Sequence, residues 1–268
     1  GGMLSGMARW NNFLEKGLSR YHRTRNDASN RTGVSGMSPW LHYGMVAATR
    51  LVRDASEHNS KGAEKFIAEM LVFREHAYHH IHDVDQPAAW NQLPDWARAS
   101  WKKTTMAEPP LSPMDLERGR SKDSLWDAAQ IGMFRHGIMH NNVRMTWGKG
   151  IVRWIEEPEA AMRLAQELND RYALDGRDPN SIAGVMWCFG LFDRPFDPPD
   201  TRMGRVRSRD SRDHAARLDM NEYQAWTESP SRGRRLSVGV VGGGLSGRFA
   251  ARLLDDLGHH VTIYDKGK

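Results

Sequence analysis

The chain has 268 residues, of which 39% are apolar and 26% charged, with a formal net charge of +5. This composition is typical of a globular protein and argues against a disordered chain. The single cysteine, Cys188, excludes an internal disulfide and favours a reducing, cytoplasmic compartment. Residues 1–10 lack the apolar block of a signal peptide and no apolar run could span a bilayer, so a soluble protein without a membrane partner is expected.

Helical periodicity of the apolar residues predicts three helices in the first third of the chain, over residues 10–21, 40–55 and 63–82. The segment 23–39 is rich in Asn, Ser and Gly and is predicted as a loop, with Pro39 at the start of the next helix. Residues 84–113 contain five prolines, which predicts an irregular connection with short helical turns.

The same periodicity predicts helix over residues 124–157, interrupted at 137–142, and a further helix over 158–172 that begins with proline. LDGRDPN, at 174–180, has the composition of a turn. Residues 195–235 are polar and rich in Arg, Asp and Ser, which favours an extended tail or linker.

The last segment, residues 236–268, has the pattern of a strand, a glycine turn, a helix and a second strand. Gly242, Gly244 and Gly247 form GxGxxG directly after the first strand, and Asp265 ends the second. Glycines there permit a tight turn and close approach of a pyrophosphate, while the aspartate suits ribose hydroxyls. The pattern predicts the start of a Rossmann dinucleotide-binding unit, cut off before its sheet can close; a plain helix–strand turn is the alternative.

Five blocks in the first two hundred residues resemble the flavin-binding helical domain of DNA photolyases and cryptochromes, and most of all the class II cyclobutane-dimer photolyases. They are YHRTRND with SGMSPWLHYG, AEMLVFRE, LWDAAQ, MHNNVRMTWGKGIVRW, and LNDRYALDGRDPN followed by MWCFGLFDRP. The resemblance implies a mainly α-helical fold that holds FAD in a U-shaped conformation, without the family's N-terminal antenna domain. The C-terminal unit resembles the start of flavin amine-oxidase-like proteins.

On this basis the chain divides into a photolyase-like helical FAD-binding domain (1–200), a polar linker (201–235) and a truncated Rossmann unit (236–268). A second FAD or an NAD(P) is expected only in a complete Rossmann domain. The antenna chromophore stays open.

For the FAD phosphates and their surroundings, the resemblance implies a set of matching residues: Tyr21, Asn26, Ser35, Gly36, Met37, Ser38 and Arg74. The small residues and the hydroxyl of Ser38 precede a predicted helix, where free backbone N–H groups and the helix dipole favour an anion. A plain N-cap by Ser38 is the alternative.

Around the flavin ring, the resemblance implies a role for Arg144, whose positive charge would stabilise the reduced, anionic flavin. Asn141 matches the asparagine that many photolyases hold near flavin N5, whereas class II members use the one that matches Asn169. The sequence has both, so which amide faces N5 stays open. Asp175 and Arg177 match a turn that contacts the flavin, and a surface turn is the alternative.

Three tryptophans match the electron-transfer relay of class II members: Trp126, Trp147 and the outer Trp154. Indoles that pack in series can carry an electron from a surface reductant towards the flavin. Spacing alone favours a simple aromatic core, and it is the resemblance that favours the relay.

A pyrimidine dimer must leave the duplex to reach a buried flavin, so its pocket needs a stacking platform and polar groups. Trp187 matches the platform and Glu69 the carboxylate that binds the pyrimidine edge, while Arg194 would contact the opened strand. Phe73 stands where class I enzymes place a stacking tryptophan. The Arg-rich residues 201–219 could add phosphate contacts, but a solvated linker is favoured.

Four histidines with helical spacing raise the alternative of a metal site, although no Cys or Glu partner stands at metalloenzyme spacing. They are His76, His79, His80 and His82. Polar helix surface is the favoured interpretation.

The sequence therefore predicts a lyase: a monomeric photolyase that uses light and reduced FAD to split cyclobutane pyrimidine dimers in UV-damaged DNA. One alternative is a photoreceptor or redox flavoprotein that is coupled to a fused FAD- or NAD-dependent oxidoreductase. In another, the oxidoreductase is the main activity and the helical domain is its scaffold.

Overall fold

The computed structural model of the chain describes residues 1–105 and 108–267. Its helices in the first half are α1 (Gly2–Lys16), α2 (Tyr21–Thr24), α3 (Ser38–His42), α4 (Ala48–Ser56), α5 (Lys61–Ala68), α6 (Glu75–Ile81), α7 (Asp95–Trp101) and α8 (Pro113–Glu117). Those that follow are α9 (Ser124–His136), α10 (Asn141–Gly150), α11 (Pro158–Tyr172), α12 (Pro179–Cys188), α13 (Ser211–Ala215) and α14 (Met220–Thr227). A βαβ unit ends the chain: β1 (Ser237–Val241), α15 (Leu245–Asp256) and β2 (His260–Tyr264). Short 3₁₀ turns lie at Leu18–Arg20, Trp90–Gln92 and Ile151–Arg153, and a π-helical segment lies at Glu69–Arg74.

The apolar side chains of the helical part form two clusters. The smaller joins α1, α4 and α5, with Trp10, Phe13 and Phe66 at its centre. The larger joins α7 and α9 to α12, and it buries Trp147 and Phe189 completely. Burial of these large aromatic side chains removes much apolar surface from water in each cluster.

The predicted helix over residues 63–82 is helical almost throughout, but its middle is wound as a π-helix. Glu69–Arg74 follows α5 directly and is followed directly by α6. A π-helix accommodates one more residue per turn and is common at functional sites. Periodicity near three and a half residues cannot reveal such a local change in winding.

Two helices of the first third differ from their predicted ranges. The helix predicted over 10–21 begins already at Gly2, and a 3₁₀ turn separates it from α2. The helix predicted over 40–55 is interrupted between α3 and α4, where Gly44 has a φ of +64°. Because that left-handed conformation cannot continue a right-handed helix, the chain turns before α4 begins.

The middle of the chain follows its predicted pattern. Helix α11 spans the predicted residues, and α9 and α10 are separated where the sequence predicts a break. Gly137 ends α9 with a φ of +68°, and the Asp123 carboxylate caps its start by accepting the Trp126 N–H.

The segment predicted as an extended linker is instead folded against the bundle. Helix α13 packs on α9 and α10, and α14 packs on α9. Tyr223 and Thr227 are buried, and His214 is buried against Thr146. A few well-placed apolar side chains are enough to dock this polar segment, which average composition could not show. The domain boundaries at 200 and 235 stay a prediction.

The C-terminal unit has the predicted strand–helix–strand order. β1 and β2 pair in parallel, from Ser237 opposite His260 to Val241 opposite Tyr264. An ion pair of Arg118 with Asp256 fixes α15 to the helical part. No helix among the described residues has the length and apolar character that crossing a membrane requires.

A buried ion pair ties the π-helical segment to the start of α12, 104 positions further along the chain. The Arg74 guanidinium donates two hydrogen bonds to the Asp178 carboxylate, at 3.2 and 2.9 Å. The Tyr78 hydroxyl donates to the same carboxylate at 2.9 Å, and Asp178 also caps α12 by accepting the Asn180 N–H. One aspartate therefore positions three elements.

We expect Asp178→Ala to lower the free energy of unfolding by about 3–5 kcal/mol, because it leaves the Arg74 charge buried without a partner and removes a helix cap. Urea denaturation followed by circular dichroism measures this. The control Glu159→Ala breaks an exposed ion pair with Arg163 and should cost less than about 1 kcal/mol. Equal effects of the two substitutions would contradict the structural role of Asp178.

Substitution by alanine should have opposite effects on the stability of the fold at two glycines that lie within helices. A Cβ on Gly62 would lie 1.9 Å from the backbone oxygen of Leu18, whereas a Cβ on Gly184 would meet no described atom of a residue outside its own helix turn within 4 Å. Gly62→Ala should therefore destabilise the fold by about 1–3 kcal/mol through overpacking. Gly184→Ala should be neutral or stabilise by up to about 1 kcal/mol. Thermal unfolding of both variants checks the difference in sign.

Candidate functional site

A cavity of about 740 Å³ lies between the two apolar clusters. Its wall takes Phe66 and Met70 from the smaller cluster and Met139 from the larger one. A volume within ~300–1,000 Å³ suits a cofactor or a drug-sized ligand. The wall includes many residues that the sequence assigned to the cofactor and the substrate: Tyr21, Ser35, Gly36, Met37, Ser38, Glu69, Arg74, Asn141, Arg144, Asp175 and Trp187.

The loop before α3 forms one end of this wall, and Arg9 holds its backbone. The Arg9 guanidinium donates to the carbonyl oxygens of Ser35 at 2.7 Å and Val34 at 3.1 Å. Gly36 has a φ of +65°, and a Cβ there would lie 3.0 Å from Arg9. Met37 occupies the N-cap position of α3 and makes no side-chain cap, so a plain N-cap by Ser38 is not observed. The first N–H groups of α3 receive no side-chain cap from this residue.

Tyr21 and Glu69 lie side by side in the cavity wall. Burial, followed by the Glu69 charge, raises the pKa of Tyr21 to about 12, so its hydroxyl stays protonated and can donate. Glu69 pairs with Arg25 at 3.2 Å and with Lys65 at 2.6 Å. The Asn26 side chain lies outside the wall, and its backbone oxygen accepts from the Asn142 amide at 2.7 Å.

Arg144 is held in a fixed orientation at the cavity. Its guanidinium donates to the Ser181 hydroxyl and pairs with Asp175 at 3.3 Å. Asn169 is fully buried, and its amide donates to Ser181 at 3.1 Å and to the Gly176 carbonyl at 2.9 Å. Asn169 therefore supports the residues that orient Arg144.

Of the two asparagines left open by the sequence, Asn141 lies in the cavity wall and Asn169 lies behind it. Asp175 also lines the cavity, whereas Arg177 on the same turn is exposed and points elsewhere. The structure thus places Asn141 in the cavity wall but not Asn169, and Asp175 but not Arg177.

Three tryptophans form a continuous row inside the larger cluster. The Trp147 and Trp126 rings stack with centroids 6.1 Å apart, and Trp154 meets Trp126 edge-on at 5.2 Å. The Trp147 N–H donates to the Gln130 amide oxygen at 3.0 Å, and the Trp126 N–H donates to the Trp147 carbonyl at 2.8 Å. Trp126 therefore lies between the other two indoles.

A separate group of aromatic rings forms part of the cavity wall around Trp187. Phe73 stacks on Trp187 with centroids 6.2 Å apart, and Phe192 packs edge-on against the same indole at 5.7 Å. His76 and His80 contact the Phe192 ring at 4.4 and 5.0 Å. These two histidines thus support an aromatic wall. Over residues 1–105 and 108–267, no three His, Cys, Asp or Glu side chains are grouped so that they could hold a metal ion.

Arg194 is exposed and lies over the Phe196 ring at 5.5 Å, outside the cavity wall. Several residues that matter in the site were not identified from the sequence: Asp178, Ser181, Gln130, His140, Lys149, Phe192 and Arg209. Asp178 precedes a proline at the start of a helix, which is a recognisable N-cap signal. His140 likewise caps α10 by accepting the Asn142 N–H, but histidine is not among the usual N-cap residues. The hydrogen-bond partners of Ser181, Gln130, Lys149 and Arg209 lie 12 or more positions away in sequence, so these residues carry no local signal.

The glycine turn of the βαβ unit is compact. Gly242 has a φ of +103°, and a Cβ on Gly247 would lie 1.9 Å from the Gly242 carbonyl. A Cβ on Gly243 would lie 2.3 Å from the Asp265 carboxylate, so the acid stands next to the turn. Gly244 is the N-cap residue of α15.

The comparisons with known proteins concern mainly the helical part. No family model matches the chain. A deoxyribodipyrimidine photo-lyase of Methanothermobacter thermautotrophicus is 36% identical over 226 residues, which cover 83% of this chain and 50% of that protein. Proteins of the same name from Oryza sativa subsp. japonica and Potorous tridactylus are 33% and 31% identical, over 81% and 83% of this chain and 44% and 43% of their own.

A crystal structure of a bacterial class III photolyase from Agrobacterium tumefaciens superposes with a TM-score of 0.66 at 18% identity, over 85% of this chain and 45% of that one. At this identity the match shows the fold alone. The chain spans about half the length of the curated relatives it matches. The helical fold and these relatives together show that the chain belongs to the photolyase/cryptochrome family.

Proposed function

We propose that the helical domain binds FAD and uses light to repair cyclobutane pyrimidine dimers in DNA, as a class II-like photolyase. The observation that carries this proposal is one cavity whose wall contains the aromatic group around Trp187 and the fixed guanidinium of Arg144. The buried tryptophan row lies in the larger apolar cluster, which contributes Met139 to the same wall. The chain is expected to act as a monomer on UV-damaged DNA.

The cavity residues fit FAD. The volume is sufficient, and residues 35–38 line the cavity directly before and at the start of α3. We assign the phosphate region to residues 35–38 with Tyr21, and the flavin ring to Arg144, Asn141 and Asp175. When bound and reduced, FAD supplies a light-driven electron that is returned after the dimer splits.

Arg144 supplies the fixed positive charge beside the flavin ring. Its hydrogen bonds to Ser181 and Asp175 keep the guanidinium from rotating away, and its burial strengthens the field that it exerts. Asn169 acts indirectly, since its amide holds Ser181. Arg74 also belongs to the proposed binding region, where it acts through its pairing with Asp178, whereas Asn26 and Arg177, whose side chains lie outside the cavity wall, are assigned no contact with the cofactor.

The tryptophan row supplies electrons from outside. Trp154 is proposed as the outer member, and stacking of Trp126 on Trp147 gives the short ring-to-ring contact that transfer requires. The substrate side uses Trp187 as a stacking platform and Glu69 as acceptor for the pyrimidine edge, with Arg194 on the opened strand.

A second candidate function follows from the docked βαβ unit. Gly242, Gly244, Gly247 and Asp265 would hold a dinucleotide in a complete Rossmann domain. The contact of α15 with the helical part, through Arg118 and Asp256, favours coupling of a flavin photoreceptor or redox module to a fused oxidoreductase. Bound FAD without dimer repair would support this function.

The relay is tested by Trp147→Phe. Phenylalanine is much harder to oxidise than tryptophan, so flavin photoreduction should slow by about tenfold or more, a barrier increase of at least ~1.4 kcal/mol. Transient absorption of the FAD-loaded chain with an external reductant measures the rate. The matched control Trp101→Phe removes another buried, hydrogen-bonded indole outside the row and should leave the rate unchanged. An unchanged rate of flavin photoreduction in Trp147→Phe would contradict the proposed electron-transfer relay.

The repair function is tested by mixing the reduced, FAD-loaded chain with an oligonucleotide that carries a thymine dimer, and following thymine absorbance under blue light. Recovery should require both light and FAD. Because stacking on an aromatic ring contributes about 1–3 kcal/mol per base, Trp187→Ala should weaken binding of this oligonucleotide by about 5- to 150-fold. The control Tyr264→Ala removes an exposed aromatic ring that is not part of the cavity wall. Full repair by Trp187→Ala would contradict the platform role.

A further inference from the structure

The loop that ends in residues 35–38 is held from behind by one side chain of α1, Arg9. Its guanidinium donates from Nε to the Ser35 carbonyl at 2.7 Å, and from Nη2 to the carbonyls of Val34 at 3.1 Å and Arg31 at 3.2 Å. Val34 and residues 35–38 line the cavity, whereas Arg9 does not. A side chain outside the cavity wall therefore sets the direction of three carbonyl groups of the loop.

These contacts also decide which way the N–H groups of the loop point. Both peptide bonds that follow the carbonyls of Val34 and Ser35 are trans, and a trans peptide holds its N–H antiparallel to its C=O. The N–H groups of Ser35 and Gly36 therefore point away from Arg9. Within the described part of the chain, the N–H groups of residues 35–38 donate to no protein acceptor, so they stay available to an anion.

Gly36 makes room for the guanidinium. Its φ is +65°, and a Cβ at this position would lie 3.0 Å from Nη2 and 3.3 Å from Nε of Arg9. Any larger residue would be strained in this left-handed conformation and would also push against the guanidinium. The glycine and the arginine therefore form one unit, in which the turn of the backbone and the contacts that hold it depend on each other.

The charge of Arg9 is not neutralised by a carboxylate. Arg9 is half-buried, and among residues 1–105 and 108–267 it forms no ion pair; burial lowers the pKa of Arg9, and no charged neighbour contributes to this shift. An arginine is still protonated at neutral pH after such a shift. The positive field of the guanidinium therefore adds to that of the free N–H groups in front of it.

The other end of the loop is anchored independently. The Arg31 guanidinium lies over the Trp226 ring of α14 at 4.7 Å, and the opposite partner of this indole is His136, which stacks on it at 5.1 Å. Loss of Arg9 would therefore release the backbone of residues 34–36 while the loop as a whole stays attached to the bundle.

We propose that Arg9 is a positioning residue that presets residues 34–36 for a diphosphate and thereby makes the cavity select FAD over riboflavin, which has the same ring system and no phosphate. This inference rests on the proposed function, in which residues 35–38 bind the FAD phosphates. Arg9 acts through the loop backbone and is assigned no contact with the cofactor. Presetting a loop raises affinity because less ordering is required when the ligand binds.

The test is a titration of the full, flavin-free chain with FAD and with riboflavin in the dark, followed by flavin fluorescence. Arg9→Gln should weaken FAD binding by about 10- to 100-fold, because three carbonyls lose a charged donor and the loop loses its preset form. Riboflavin binding should change by less than about twofold, since the region assigned to the ring, around Arg144, is untouched. Riboflavin therefore also reports whether the variant is folded.

Two further variants sharpen the result. Arg9→Lys keeps the charge but lacks the planar fork that reaches three carbonyls, so its FAD affinity should lie between those of the parent and Arg9→Gln. Arg20→Gln removes an exposed arginine close to the end of α1 and should change neither affinity.

An unchanged FAD affinity in Arg9→Gln overturns the inference, and so does equal weakening of FAD and riboflavin, which would show a general loss of stability. A parent chain that binds neither flavin contradicts the proposed function itself. Because the titration uses neither light nor DNA, a failure of dimer repair stays separately visible.

Discussion

The site depends on the buried pair of Arg74 and Asp178, which joins a π-helical segment to the start of α12. Burying two charges is costly, and such a pair is favourable only when further hydrogen bonds satisfy it; here the Tyr78 hydroxyl and the Asn180 N–H do so. The pair fixes the relative position of Glu69, which precedes Arg74 in the same segment, and Trp187, which follows Asp178 in α12. The two residues proposed to hold the dimer are thereby set by one interaction that contacts neither of them.

The proposed function assigns two tasks to two groups of side chains. On the side of α9 and α10, closely stacked indoles and a fixed guanidinium suit the movement and stabilisation of charge. On the side of the π-helical segment and the end of α12, flat rings around Trp187 suit the binding of a base. The arrangement agrees with membership of the photolyase/cryptochrome family, and the lesion that is bound stays a proposal.

Much of the fold could be predicted from the sequence because its signals are local. Helix α11 has both a starting proline and a regular apolar face, and the break after Gly137 has a left-handed glycine. The π-helical winding, the break at Gly44 and the docking of α13 and α14 have no such signal, since tertiary contacts decide them. In the site, matched blocks predicted Arg144 and the tryptophans. They could not reveal the pairing of Asp178 with Arg74 or of Arg209 with Asn142, because these partners lie about a hundred and about seventy positions apart in sequence.

The hydrogen bonds of the tryptophan row determine whether an indole that is oxidised loses its N–H proton. Both indole N–H groups of the inner pair donate to an amide or a carbonyl oxygen, in Gln130 and in the Trp147 backbone. Neither oxygen is a base near neutral pH, so an indole that loses an electron keeps its proton. If charge moves along this pair as proposed, each oxidised indole is therefore a cation that keeps its N–H proton. The driving force for each transfer is then set by the surrounding dipoles and not by the acidity of the solvent.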